Sequence, residues 1–308
     1  MRPALALFGY ALTSAWCLPP LLTRLTAGGV SARFGLVAWL SAMASALMAA
    51  GLGLQSLFRT IGADWPSLTQ AVCRSMAGSA CTPVVYRSAL YELSVAAVTA
   101  LVTLAAAVAL WRYGRRTQRA RTRSRAHAQA ALLAGRPLPG TGAVVLDDPR
   151  PAAYCVPGRP AAIVLTSGAL AVLDDAQLTA VLAHERAHLS GRHHAVVLVT
   201  RGLAAAFPGV PLFGHGAAEV ARLAEMSADD SAARRTGRST LVAALLSIGT
   251  GIAVPAAVLA ATACAVPVRV ERMLQPARPL RDAATGLALA AIAALLILIP
   301  AGLAAVTG

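Results

Sequence analysis

The sequence predicts a multi-span α-helical membrane protein with a small α+β domain between its third and fourth spans. The chain has 308 residues, of which 57% are hydrophobic and 13% are charged, and its mean hydropathy is +0.65. This composition is too apolar for an ordinary soluble domain. Charge-free segments of bilayer length, and one intervening segment with strand and helix patterns, complete the prediction.

Four apolar segments are long enough to cross a bilayer, which needs about 20 mostly apolar residues. They are Ala4 to Leu22, Leu36 to Leu57, Leu93 to Trp111 and Ala283 to Ala305. The arginine-rich run WRYGRRTQRARTRSR follows the third span. Because basic residues favour the cytoplasmic side, this run is expected in the cytoplasm. The number of spans then places both termini on the outer side of the cell membrane. The predicted domains are residues 1–111 with three spans, a cytoplasmic domain at 112–282, and a last span at 283–308.

The formal charge of +14 comes from arginine alone, because all 27 basic residues are arginine. This excess lies beside the apolar spans, where it sets topology, so the lipid bilayer is the expected partner and direct nucleic-acid binding is not expected. Cys73 and Cys81 share a predicted outer loop, Phe58 to Glu92. They could form a disulfide if that loop faces an oxidising compartment, and the sequence leaves this open.

A further charge-free stretch, Leu241 to Val268, is also long enough to cross a bilayer. A full crossing would place RVERMLQPARPLRD, with its four arginines, outside the cell. The distribution of basic residues argues against that arrangement. We therefore expect a buried helix or a re-entrant hairpin that breaks near Pro255.

The cytoplasmic segment changes from apolar runs to strand and helix patterns. TGAVVLDDP and RPAAIVLTSGAL predict short strands, with a turn at YCVPGRP between them. The stretch AAIVLT is a candidate edge for substrate pairing. LDDAQLTAVLAHERAHLSG then predicts a helix that is capped by Asp174 or Asp175 and ends at Gly191.

The helix carries an H-E-x-x-H motif, HERAH. His184 and His188 are four residues apart, so their rings project from one helix face and can share a metal ion. Imidazole ligands suit Zn²⁺, and catalytic zinc usually has three protein ligands and a water. Glu185 can act on that water as a general base. The motif therefore predicts zinc-dependent peptide hydrolysis.

The residues leave two candidates for the third ligand. HERAHLSGRHH matches H-E-x-x-H-x-x-G-x-x-H, which nominates His194. The alternative is Glu225 in RLAEMSADDSAARR, where Asp229 follows one helical turn later. An aspartate at that spacing could accept the free N–H of a ligating histidine.

TSGALAVLDDAQLTAVLAHERAHLSGRHH and AEMSADDSAARR resemble the membrane-bound gluzincin peptidases. These include HtpX-like and CAAX-prenyl endopeptidases and especially the BlaR/MecR-type transducer peptidases. The resemblance covers about Thr141 to Leu274 and implies a cytoplasmic α+β zincin-like metallopeptidase domain. It implies zinc ligation by His184, His188 and Glu225, with Glu185 as catalytic acid/base and Asp229 as the partner of a ligand. It gives His193 and His194 no metal role.

The resemblance implies a membrane-integrated zinc endopeptidase that cleaves a protein or peptide at the cytoplasmic face, with a transcriptional repressor as one candidate substrate. The sequence ends at Gly308 without the C-terminal penicillin-binding sensor domain of BlaR/MecR-type proteins. An HtpX-like quality-control protease, a non-catalytic stress-sensing scaffold and a metal-binding transporter or assembly factor are the alternatives. Arg269, in RVERML, is a candidate for oxyanion stabilisation, with a topology anchor or a salt-bridge partner as its alternative roles.

Overall fold

The structure is a computed structural model that describes most of the chain. The described ranges are 2–28, 32–76, 83–158, 161–249, 266–275 and 279–307. The helices within them are α1 (Arg2–Thr26), α2 (Ala32–Met76), α3 (Pro83–Ala134), α4 (Ser167–Val172), α5 (Asp175–Ser190), α6 (His193–Ala206), α7 (Pro211–Thr236), α8 (Arg238–Gly249), α9 (Val266–Leu274) and α10 (Pro279–Thr307). The strands are β1 (Arg136–Leu138), β2 (Ala143–Leu146), β3 (Ala153–Val156) and β4 (Ala162–Thr166).

Long apolar helices make up the part of the molecule that suits a membrane. Among the described residues, four helical segments have the length and composition to cross one: Pro3–Thr26, Ala32–Arg59, Ala96–Ala134 and Asp282–Val306. They overlap the four segments expected from the sequence. Large apolar side chains such as Leu12, Leu101 and Leu298 are more than half exposed on these helices. Such exposure is stable in a lipid environment, where no water has to be excluded from the helix surface.

The four strands form one small mixed sheet in the order β1-β2-β4-β3. β2 and β4 run parallel, and the two outer strands pair antiparallel to their neighbours. β4 is fully buried, as expected for a strand that pairs on both sides. One face of the sheet packs on α5, since Ile163 and Leu165 share a core with Val181 and Leu182. β1 and β3 are the outer strands, and α5 contacts β3. The free edge of the sheet nearest to α5 is therefore the outer edge of β3.

A second core joins the membrane helices to α7. Trp39 and Met43 of α2 are fully buried against Leu212 and Leu223 of α7 and Leu289 of α10. Arg222 strengthens this junction, because its guanidinium donates to the Thr26 carbonyl oxygen at 2.8 Å and to Glu219 at 2.7 Å. The end of α1 and the helix α7 thus lie together on one side of the spans.

Several sequence expectations hold in this fold, and two on the sheet are wrong. The strands at 143–146 and 162–166 and the helix ending at Gly191 agree with the patterns. The stretch YCVPGRP, expected to be a turn, begins with β3. AAIVLT was expected to offer a free edge, but β4 is an interior strand. Both differences have one cause. Residues expected in the turn form β3, and β3 pairs with the edge of β4 that was expected to be free.

The remaining expectations concern the long inter-span segments. The predicted loop Phe58 to Glu92 is helical up to Met76 and again from Pro83. A disulfide between Cys73 and Cys81 lies outside what the structure describes. The stretch Leu241 to Val268 begins inside α8, whose Leu241 and Ala244 are buried, and the break expected at Pro255 lies outside the described residues. The predicted domain boundary at residue 111 falls within the continuous helix α3, and the division into domains stays a prediction.

Candidate metal centre

The helix that carries the motif is fixed at both ends by its own sequence. Asp174 caps α5, because its Oδ1 accepts the Gln177 backbone N–H at 2.7 Å while the Gln177 side chain reaches back to the Asp174 N–H at 3.4 Å. This reciprocal pair is a capping box. Gly191 ends the helix. Arg186 also ties α5 to the sheet by donating to the Thr141 carbonyl oxygen at 2.7 Å. The motif therefore sits on a helix with little freedom to rotate.

Three candidate ligand side chains converge between α5 and α7. The Nε2 atoms of His184 and His188 are 3.1 Å apart. The Glu225 carboxylate of α7 lies 3.6 Å from His184 Nε2 through Oε2 and 3.5 Å from His188 Nε2 through Oε1. All three possible ligand atoms lie within 4.8 Å of one another. Two imidazoles and one carboxylate at such spacing are a donor set that suits Zn²⁺.

The outer nitrogen of His184 faces a buried ion pair. Its Nδ1 is 3.1 Å from Asp229 Oδ1, which is the distance of a hydrogen bond, although the angle is not that of a well-aligned one. Asp229 also accepts from Arg269 of α9, at 2.8 Å from Nε to Oδ2 and 2.5 Å from Nη2 to Oδ1. Arg269 Nη1 lies 3.4 Å from Glu225 Oε2. The Arg269 guanidinium thus contacts both Glu225 and Asp229, and these two carboxylates in turn contact the first histidine of the motif.

The outer nitrogen of His188 has a different neighbour, which the sequence reasoning missed. His193 Nδ1 lies 3.2 Å from His188 Nδ1, and the two rings meet edge to face with centroids 5.0 Å apart. Arg192 makes this contact possible, because its left-handed backbone (φ 51°) turns the chain from α5 into α6. Gly191 leaves room for the ring, since a Cβ there would lie 2.5 Å from His193 Nε2. The expectation that His193 has no metal role stays a prediction, and its contact with His188 is an addition that the sequence did not reveal.

Glu185 lies beside the outer strand of the sheet. Its side chain is buried on α5. The Cys155 thiol of β3 interacts with its carboxylate, and burial, reinforced by the negative charge of Glu185, raises the pKa of that thiol above its usual range. Cys155 therefore stays a neutral thiol near neutral pH. Its position also places the free edge of β3 next to the residue expected to act as general base.

The buried charges of the centre shift one another's pKa values. Burial opposes charge on His184, but its contacts with Asp229 and Glu225 outweigh burial and raise its pKa to about 9. Burial also disfavours ionised Glu225, yet the contacts with His184 and His188 hold its pKa below the usual range. Asp229 behaves in the same way, because its hydrogen bond to Arg269 outweighs burial and lowers its pKa to about 2. These carboxylates are thus anionic at neutral pH and ready to balance a cation.

The geometry separates the two candidates for the third ligand. Within the described residues, the group that could hold a metal contains His184, His188 and Glu225, and His194 does not belong to it. His194 is half-buried, and its Nδ1 has no hydrogen-bond partner among the described residues. Arg269, the candidate for oxyanion stabilisation, forms an ion pair with Asp229 through two of its nitrogens, as in the salt-bridge alternative. Ligation and catalysis by these residues stay predictions.

A comparison with known protein families identifies the family of this chain. The model of peptidase family M48 matches residues 116–273, which is half of the chain and includes the whole candidate centre. The chain belongs to peptidase family M48. Its apolar helices make it a membrane-associated member of that family. No solved structure matches the chain significantly.

A curated protein is similar to a shorter part of the chain. The chain is 39% identical over 71 residues to a protein named "Protease HtpX homolog" from Acidiphilium cryptum (strain JF-5). The match covers 22% of this chain and 25% of that relative. The chain thus spans about a quarter of the length of the curated relative it matches.

Proposed function

We propose that this chain is a membrane-integrated zinc-dependent endopeptidase. The observation that carries the proposal is the convergence of His184, His188 and Glu225, with Glu185 next to them, in a chain of peptidase family M48. We propose zinc ligation by the Nε2 atoms of the two histidines and by the Glu225 carboxylate. When bound, the ion would lower the pKa of a water molecule towards about 7 and polarise a peptide carbonyl.

Glu185 is the proposed proton carrier. It follows the first ligand directly in the chain and lies beside the edge strand, so it can reach a water held between the ligands and a peptide. Its carboxylate would take a proton from the attacking water and return it to the leaving amine nitrogen. The Cys155 thiol cannot take that proton, because burial raises its pKa and it therefore already carries its own proton near neutral pH.

Three side chains outside the ligand set would hold the histidines in place, two of them directly and one through another residue. Asp229 would accept the Nδ1 proton of His184, and Arg269 would fix Asp229 through its two-nitrogen contact. These contacts favour a positioning role for Arg269 over direct oxyanion stabilisation. His193 would hold His188 through its Nδ1. Partners of this kind raise metal affinity, because they fix the tautomer and the ring orientation of a ligand.

The proposed substrate is an extended segment of a protein that pairs with β3. The outer edge of β3 carries backbone groups without a strand partner among the described residues, and β3 lies beside α5. An extended peptide can add to such an edge through main-chain hydrogen bonds. This would bring one carbonyl group of the peptide towards His184, His188 and Glu225. Contacts with the side chains of the peptide would supply the specificity.

We propose that the peptidase domain lies in the cytoplasm, as the arginine run on α3 favours. Two biological roles fit this placement. Cleavage of a cytoplasmic repressor would follow the resemblance to BlaR/MecR-type transducers. Quality control of membrane proteins is the second candidate, and the match to a protein named as an HtpX homologue favours it equally.

The test is cleavage of an unfolded protein by the purified full chain in detergent with zinc. Glu185→Gln should lower the cleavage rate by about 10² to 10⁴-fold, which is the usual contribution of a positioned general base. The bound zinc should remain, because Glu185 is not a proposed ligand. Equal cleavage by wild type and Glu185→Gln would overturn the proposal. Comparing new protein termini in cells that express either form would then distinguish repressor cleavage from broader turnover.

A further inference from the structure

A cavity of about 330 Å³ lies between the membrane helix α2 and the helices that carry the candidate ligands. Its walls come from the start of α2, the end of α5, the start of α6 and the middle of α7. Its volume is at the lower end of the range of small-molecule sites, which is roughly 300–1,000 Å³. None of the three candidate ligands lines the cavity, whose α7 residues are Ala224, Ser227 and Ser231, although His193, the neighbour of His188, belongs to the lining.

The lining is polar and positive at one end and apolar along α2. Arg33 is the one charged residue of the lining apart from the titratable ring of His193, and no aspartate or glutamate belongs to it. The guanidinium donates to the Ser231 hydroxyl at 3.2 Å. None of the ion pairs among the described residues includes Arg33. From there Leu36 and Leu40 continue the wall along α2.

The cavity lies at the end of a candidate membrane span. Arg33 is the second residue of the segment Ala32–Arg59, which is long and apolar enough to cross a bilayer. Its neighbours Phe34 and Val37 are about half exposed, at 45% and 51%. The span before it ends at Thr26 on the same side. In a bilayer crossed by this span, Arg33 would lie where the hydrocarbon gives way to the headgroup layer.

We infer that this cavity binds the headgroup of an anionic phospholipid. The lipid phosphate would pair with the Arg33 guanidinium, which matches phosphate oxygens in charge and in fork geometry. The hydroxyls of Ser227 and Ser231 are additional donors in the same lining. The acyl chains would follow the apolar wall of α2, where Val37 is exposed to the bilayer. Basic pockets between membrane helices recognise anionic headgroups by this combination of charge and apolar surface.

The apolar wall favours a lipid over a free phosphate ion. A free anion would gain only the contacts at Arg33 and the serine hydroxyls, and it would leave Leu36 and Leu40 facing water. A phospholipid would fit both ends of the cavity. Its phosphate would contact Arg33, and its acyl chains would contact the apolar residues that follow along α2. The chain also offers a matched control in Arg24, which is exposed at the end of α1 on the same side but is not part of the lining.

The experiment measures lipid retention by native mass spectrometry of the full chain in detergent. Phosphatidylglycerol and phosphatidylcholine are titrated separately onto wild type, Arg33→Gln and Arg24→Gln. Wild type and Arg24→Gln should retain phosphatidylglycerol in preference to phosphatidylcholine. Arg33→Gln should bind phosphatidylglycerol roughly tenfold or more weakly, because it loses a charge-assisted contact to phosphate.

Three results would overturn the inference. The first is an equal loss of phosphatidylglycerol binding in Arg33→Gln and Arg24→Gln. The second is a wild type that does not prefer phosphatidylglycerol to phosphatidylcholine. The third is full displacement of the lipid by inorganic phosphate at equal concentration. If Arg33→Gln does not fold, Ser190→Phe takes its place, because it fills the cavity from the exposed end of α5 and keeps the charge. It should also lose lipid, and unchanged binding would count against the site. Since the readout is retained lipid, the result does not depend on peptidase activity.

Discussion

The two sides of the candidate metal centre differ in what stands behind each histidine. Behind His184 lie Asp229 and Arg269, a carboxylate and a guanidinium that are almost completely buried. Behind His188 lies His193, whose pKa is lowered to about 4 by burial and by the nearby charge of His188, so that its ring is neutral at pH 7. The first side is built from charged groups, and the second is a contact of His188 with the neutral ring of His193. Damage to the first should therefore affect folding, and damage to the second should affect mainly metal affinity.

The largest effect is expected from Asp229→Ala. This change leaves Arg269 buried without its strongest counter-charge, and breaking a buried pair in this way costs about 3–5 kcal/mol in the free energy of unfolding. Thermal unfolding in detergent measures the change. The control is Asp230→Ala, the next residue, which pairs with Arg272 at 2.9 Å at a more exposed position and should cost about 0–1 kcal/mol. An equal loss of unfolding free energy in the two variants would mean that the buried charges behind His184 contribute no special stability.

A smaller and more selective effect is expected from His193→Leu. Loss of a partner that orients a metal ligand typically lowers metal affinity by about 10- to 100-fold. Stability should change little, because Leu fills a similar volume beside apolar neighbours. Zinc affinity is measured by competition with a chelator, with His194→Leu as the control that should keep wild-type affinity. His193→Asn should restore part of the affinity, since its amide oxygen can accept the same proton. A positioning role would be contradicted if His193→Leu kept the wild-type zinc affinity, or if His193→Asn bound zinc no better than His193→Leu.

The smallest effect is expected from Gly191→Ala. The new Cβ would lie 2.5 Å from His193 Nε2 and 2.8 Å from Cδ2, so the ring has to move away from His188. We expect zinc affinity to fall by a few-fold, less than the roughly 10- to 100-fold loss in His193→Leu. Gly214→Ala is the control, because no atom lies within 4 Å of its Cβ position. That change should be neutral or stabilising by up to about 1 kcal/mol. A loss of affinity larger than that of His193→Leu would mean that Gly191 acts through α5 itself.

The spacing of the candidate residues within α5 and within α7 could be predicted from the sequence, and the contact between His193 and His188 could not. His184 and His188 share a face because a helix repeats every 3.6 residues, and Glu225 and Asp229 have the same spacing on α7. His193 contacts His188 only because Arg192 turns the chain after Gly191. No periodicity extends across such a turn. A usable signal existed, since a ligating histidine nearly always needs a partner for its second nitrogen.

The sheet shows the same limit on prediction. The strands at 143–146 and 162–166 are apolar enough to be recognised, and both lie in the interior of the sheet. β3 is short, mostly half-buried and followed by Pro157 and Gly158, so its sequence favours a turn. Strand order depends on contacts between distant residues, which local patterns do not record. Arg269 is a comparable case, because its contact with Asp229 joins residues 40 positions apart.

The central claim is that the zinc ligands are His184, His188 and Glu225, and metal analysis of the purified full chain tests it most directly. Wild type should contain zinc in equimolar amount. Glu225→Ala should lose it, because only the two histidines remain, whereas His194→Ala should keep it. A wild-type protein that takes up no zinc, or a chain that keeps zinc in Glu225→Ala and loses it in His194→Ala, would contradict the account.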